Sequence, residues 1–411
     1  LEFRRVLFRS ERRRGSGQGA SGGDGFTTST GGAGGQGGEC AQIVVETTIQ
    51  EQPPDIVFVV GNNGSLAQEI AAVESNINAN FASIIEASGI DYRVILVSRS
   101  GGHQFNICVE EPLGGVPAGE CALQSNNAPP VHNPGKFYHY SAIINSSDPW
   151  CKLLGTYDGT IPDEYGQAPN GWSEWLRPEA YKVFVIISDS STNCLHAGTD
   201  LDDGPQQPNA SDIPGAEQAA ADFDAFLLGL SPVHFGTAAA RTYQWHSIVG
   251  LAQLDPLDPT AAWQPSDPLS LVKCTGDTNP VSPALGYQAL SRLTGGLRFP
   301  ICEYPNFDVV FTELAQNILS AVNTISCEFA LPDPGPGQTL DTDTVQMKFT
   351  PPGQPEKLFS QVADAAACAP ESFFILDDFI FLCPEACAEV QAAGDTAELD
   401  IAFGCELPPP D

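Results

Sequence analysis

Between residues 55 and 325 the spacing of apolar residues switches repeatedly from near-continuous runs to steps of three and four. Residues 55–60 (DIVFVV) are almost wholly apolar, which predicts a strand covered on both faces in a parallel sheet. A glycine turn, residues 61–65 (GNNGS), follows. Beyond it Leu66, Ile70, Val73, Ile77, Phe81 and Ile84 recur at helical steps and predict a helix that packs one apolar face on the sheet. Residues 91–99 are the next strand. Residues 181–188 form a second buried strand, 213–230 a helix, 244–252 a strand, 284–293 a helix and 296–302 the last strand. Phe307, Val310, Phe311, Leu314, Ile318, Val322 and Ile325 then mark a closing helix. Strands alternating with helices predict an α/β fold, a doubly wound, mainly parallel sheet. Ligands of such sheets gather where strand carboxyl ends meet helix amino ends. That edge holds residues 61–65 and, after strand 181–188, Asp189.

Outside this region the pattern changes. Residues 15–49 are rich in glycine, serine and threonine, a composition that buries no core and predicts a flexible tether. Residues 1–14 resemble translated adapter sequence and are set aside as non-native. Residues 101–176 read as a long loop insertion carrying cysteines, with Trp172 and Trp175 anchoring it, and such loops concentrate binding residues. His103, His132 and His139 lie there without paired ligand spacing and read as packed or solvent-facing side chains. In residues 200–212 Asp200, Asp202, Asp203 and Asp212 read as a solvated acidic loop, since the glutamate of a calcium-binding EF-hand is missing. After the Pro/Gly break at 332–338, short alternating strands and a helix over 383–390 predict a small cysteine-rich β subdomain, 327–411.

Charge and cysteine content narrow the function classes. The 411 residues carry a formal charge of −33, and six of the 18 basic residues fall within residues 1–14. Nucleic acid is therefore excluded as an expected partner, because phosphate binding needs concentrated positive charge. Twelve cysteines, an even number, without zinc-type spacing predict disulfides and an oxidising compartment. The candidates are Cys108, Cys121, Cys151, Cys194, Cys274, Cys302, Cys327, Cys368, Cys383, Cys387 and Cys405, with 108–121, 151–194 and 274–302 as local pairings. The expected location is extracytoplasmic: cell surface, secreted or periplasmic. No apolar run of about 18 residues is present to span a bilayer, and an export signal, with a lipid anchor as one form of it, is expected upstream of the recorded chain.

PPDIVFVVGNNGSLAQEI, KVFVIISDS and the helix around FDVVFTELAQNIL together resemble a von Willebrand factor A-type domain of the secreted bacterial kind, over residues 50–326. In that family a D-x-S-x-S motif, a loop threonine and a later aspartate form a metal-ion-dependent adhesion site. This chain has Gly61 where the aspartate would stand, Asn63 at the first serine and Ser65 at the second, while Asp189 matches the later aspartate. Thr156 or Thr160 would supply the loop threonine. The resemblance thus implies a degenerate site of Asn63, Ser65, Asp189 and Thr156 for Mg²⁺ or Ca²⁺, edged by Gly61, Asn62, Gly64 and Ser190. Read without the resemblance, Ser65 starts a capping box with Gln68, and Asn63–Gly64 is ordinary turn chemistry.

No nucleophile elbow, zinc-protease helix, phosphate loop or dinucleotide fingerprint occurs, so a non-enzyme is expected. The expected function is a binding or adhesion module for a protein or other surface ligand. The alternative is a structural surface protein with a vestigial site.

Overall fold

The computed structural model describes residues 39–46, 49–238, 240–276, 279–325, 327–331, 339–376, 379–393 and 398–406. They form two compact units, one spanning Ile49–Thr324 and one drawn from both ends of the chain. Among the described residues, the main sheet of the larger unit has six strands: β1 (Pro54–Val60), β2 (Arg93–Ser98), β3 (Phe137–Ser141), β4 (Tyr181–Ser188), β5 (Tyr243–Val249) and β6 (Arg298–Pro300). Their spatial order is 3-2-1-4-5-6, and every neighbouring pair is parallel. The order reverses between β1 and β4, which opens a crevice at the carboxyl ends of those two strands.

β1 is buried along its whole length because helices cover both faces. Ile56, Phe58 and Val60 meet α1 (Ala67–Asn76), its continuation to Ser88, and α5 (Phe307–Val322). Val57 and Val59 meet α2 (Pro149–Thr156), α3 (Ile213–Leu230) and α4 (Leu285–Thr294). On the first face Phe58 stands edge-on to Phe81 and Phe311, with centroids 5.1 and 6.1 Å apart, an arrangement that suits the charge distribution of the rings. The helical run after β1 widens to π geometry over Ile77–Ala82, while Ile77, Phe81 and Ile85, at steps of four, all remain buried. At the amino ends of the strands, Arg177 donates to the buried Asp55 at 2.8 Å and to Asp91 at 2.7 Å.

The segment 101–176, expected to be an insertion of loops, contributes two of these elements. β3 is an edge strand paired with β2, and α2 packs against the second face of the sheet. The sequence of β3, FYHYS, lacks the aliphatic run that marks a strand covered on both sides. Trp172 and Trp175 are buried here, and the Trp172 indole donates to Thr156 Oγ1 at 3.1 Å.

The smaller unit holds a seven-stranded sheet that includes Glu39–Glu46, Thr339–Thr350 and Glu398–Glu406. Glu39–Glu46 pairs antiparallel with Glu398–Glu406, so the run taken as a tether up to residue 49 contains a strand; the β-branched Ile43, Val44 and Val45 account for it. Phe329, Met347, Phe349, Phe373, Ile401 and Phe403 form its core. Disulfides join Cys327 to Cys387 and Cys368 to Cys383. In the larger unit they join Cys108 to Cys121, Cys151 to Cys194 and Cys274 to Cys302. The Cys405 side chain lies outside the described residues.

Candidate functional site

The turn after β1 leaves the sheet at the crevice, and its two asparagines do different work. Asn62 is a clamp. Its amide donates to Ser98 Oγ at 3.0 Å and to the Phe105 carbonyl at 2.9 Å, and its carbonyl accepts from the N–H groups of Arg99 at 3.0 Å and Ile144 at 3.2 Å. The turn, the end of β2 and the segment after β3 are thereby tied together. Asn63 faces the other way. Its amide nitrogen donates to Asp189 Oδ1 at 3.1 Å and to Ser146 Oγ, and its carbonyl accepts from Ser65 Oγ at 3.1 Å. Gly64 and Ser65 are exposed, Asn63 and Ser146 half-buried, and Asp189 and Ser190 buried.

Asn63, Ser65 and Asp189 are thus gathered at one edge. Thr156 is not among them. It ends α2, fully buried, and its hydroxyl donates to the Lys152 carbonyl at 2.7 Å and accepts from the Trp172 indole. The loop hydroxyl at the edge is that of Ser146, ten residues earlier in the chain. Its signal in the sequence is its place in the loop five residues beyond the end of the strand FYHYS, legible only once that strand is recognised. Ser65 does not cap the helix, since its hydroxyl is directed to Asn63. Ser190 N–H bonds to Ser188 Oγ at 3.3 Å in a tight turn. Gly61 is buried at the end of β1 and donates to the Ile187 carbonyl at 3.2 Å; a Cβ there would lie 2.7 Å from Leu66 Cδ1.

The residues at this edge do not fit the divalent cation that the family resemblance implies. Mg²⁺ takes oxygen ligands in an octahedron. A carboxylate only accepts hydrogen bonds, so the Asn63 atom facing Asp189 is the NH₂ group, and its N–H bonds point at the two oxygens a cation would need. Gly61 contributes no carboxylate. Among the described residues no group of three or more His, Cys, Asp and Glu side chains is arranged to hold a metal. The histidines are packed: His139 is buried, contacts the Ser98 carbonyl at 3.0 Å, and is pushed down to about 3 by burial, while His132 stands edge-on to Trp175.

The acidic loop is only partly solvated. Asp200 is exposed, and Asp202 accepts from Asn193 and from the Gly204 N–H. Asp203, expected in solvent, is 2% exposed. Its Oδ2 accepts from the Gly286 N–H at 2.9 Å, at the start of α4. Among the described residues its Oδ1 has no hydrogen-bond partner, and neither does the buried Trp150 indole N–H; the Thr192 and Tyr287 side chains are buried with them. These residues are neighbours: the Trp150 and Tyr287 rings are 5.1 Å apart, and a Cβ on Gly286 would lie 2.8 Å from Asp203 Cβ and 3.0 Å from Trp150. Burial, only partly opposed by the nearby Gly286 and Thr192 backbone groups, pushes Asp203 from 3.8 up to about 7.

No protein-family model matches this chain, and no curated protein matches it. Among solved structures it is similar to the pilus adhesin SpaC from Lactobacillus rhamnosus GG in its open conformation, at 12% identity and a TM-score of 0.33, over 89% of this chain and 40% of the adhesin. A second structure of that adhesin gives 12% identity, a TM-score of 0.31, and coverage of 89% and 41%. The chain spans about two fifths of the length of the adhesin.

Proposed function

We propose that this protein is an extracytoplasmic binding module of the von Willebrand factor A type, without catalytic activity, which engages a protein on another surface through the carboxyl edge of its sheet. The observation that carries this reading is the meeting of Asn63, Ser65, Ser146 and Asp189, from three separate segments, where the strand order reverses. Polar side chains held in place by one another beside exposed Gly64 and Ser65 give a partner a fixed set of hydrogen-bonding groups. Five disulfides among the described residues support residence in an oxidising compartment. The disulfide Cys151–Cys194 ties α2 to the loop after β4, and so joins the two segments that carry Ser146 and Asp189.

The test immobilises the full chain and passes collagen, fibrinogen and mucin over it by surface plasmon resonance. The variants Gly64→Arg and Ser65→Arg place a long cation on the edge, and Gln218→Arg places one on an exposed turn of α3. Binding that weakens at least tenfold in the two edge variants and not in Gln218→Arg is the expected result. Binding that all three variants retain, or no binding to any of the three proteins, removes this reading.

A further inference from the structure

We infer that the Asn63 side-chain amide stands in for a cation at this edge, so that the three segments are locked together without metal. The inference concerns how the edge is assembled, and it holds whether or not the proposed partner binds there. The geometry is specific. A bound cation gathers oxygens from separate segments by its positive charge. Here the NH₂ group, the positive end of the amide dipole, lies between Asp189 Oδ1 and Ser146 Oγ and donates one hydrogen to each. The same amide offers its carbonyl to Ser65 Oγ. All three polar atoms of the interaction are therefore matched by the hydrogen-bonding capacity of one asparagine. Coordination of a cation through Asn63 Oδ1 would require the amide to turn over. That rotation breaks all three bonds and brings the Asn63 oxygen to face the Asp189 carboxylate.

A formal charge of −33 draws cations to the surface without a specific site, so uptake of metal alone is a poor readout. The substitution Asn63→Asp is isosteric and is the sharper instrument. It replaces the NH₂ by an oxygen, leaves Ser65 its acceptor, and sets two carboxylates in contact. Melting of the full chain is followed in EDTA and in 1 mM Mn²⁺, for the wild type, Asn63→Asp, Asp189→Ala and Asn63→Asp with Asp189→Ala, together with Mn²⁺ titration read by electron paramagnetic resonance. The wild type is expected to melt at the same temperature in EDTA and in Mn²⁺. Asn63→Asp is expected to melt about 5 °C lower in EDTA, to recover in Mn²⁺, and to show a saturable Mn²⁺ site that the added Asp189→Ala removes. Two results overturn the inference: a wild type stabilised by Mn²⁺ through a saturable site that Asp189→Ala abolishes, or an Asn63→Asp variant as stable as the wild type in EDTA. Either would leave the binding measurements with Gly64→Arg and Ser65→Arg untouched, so failure of the binding reading and failure of this one are separable.

Discussion

The substitution Asp203→Asn should stabilise the larger unit at neutral pH and should do nothing at acid pH. Asp203 lies buried within the loop after β4, with one oxygen on the Gly286 N–H and the other without a hydrogen-bond partner among the described residues. Burial raises its carboxyl from 3.8 to about 7. The sign follows from where the proton is held. Below pH 3.8 both folded and unfolded chains carry it, and no penalty arises. Between 3.8 and 7 the unfolded chain ionises while the folded chain keeps its proton, so stability falls as pH rises. Above 7 the folded state holds a buried, half-paired anion, and the full penalty applies. At about 1.4 kcal/mol for each tenfold change in proton affinity, the penalty is about 4 kcal/mol. Asparagine keeps an acceptor for the Gly286 N–H and carries no charge. Urea unfolding followed by tryptophan fluorescence at pH 4, 5.5, 7 and 8 measures the difference between variant and wild type. The difference should grow from near zero at pH 4 to several kcal/mol at pH 8. A difference independent of pH, or a variant less stable than the wild type at pH 8, would refute the reasoning.

Other expectations rest on separate features. His139 and His246 are both buried and lowered from 6.5 to about 3, so their contribution is present above pH 6.5 and lost as the unfolded chain gains protons on acidification; their imidazole NMR signals should stay in the neutral position down to pH 4.5, and titration near 6.5 would contradict this. Replacing Cys151 and Cys194 together by serine opens a link between residues 43 apart and should cost about 4 kcal/mol in urea unfolding; an unchanged midpoint would contradict it. Asn62→Ala strands the Phe105 carbonyl and the Arg99 and Ile144 N–H groups, with an expected loss of about 2–3 kcal/mol in the same assay; a loss below about 0.5 kcal/mol would show that water replaces the clamp.

The central strands were legible because they are covered on both faces, a condition that only near-continuous apolar runs such as DIVFVV and KVFVIIS satisfy. β3 was not: an edge strand needs less apolar surface, and FYHYS alternates aromatic and polar residues. That omission hid Ser146, since the candidates for the loop hydroxyl, Thr156 and Thr160, lie at the end of the helix that the strand leads into and beyond it. The contacts of Asn63 span 83 and 126 residues of sequence, and no local pattern encodes them. Asp202 and Asp203 are adjacent acids in TDLDDG, and nothing local tells them apart; only the contact with the start of α4 buries Asp203 while Asp202 stays toward water. Asn62 reads in the sequence only as a residue edging the site, and its four side-chain hydrogen bonds to three segments belong to the tertiary structure.

Hydrogen–deuterium exchange of the full chain, alone and with the collagen, fibrinogen or mucin that the immobilised protein retains, tests most directly whether the carboxyl edge is the binding surface. Protection is expected over residues 61–66, 99–106, 144–148 and 189–193 together, because the Asn62 and Asn63 side chains join those segments into one edge. Protection confined to α3 or to the sheet of the smaller unit, with those four segments exchanging as in the free protein, would contradict the account.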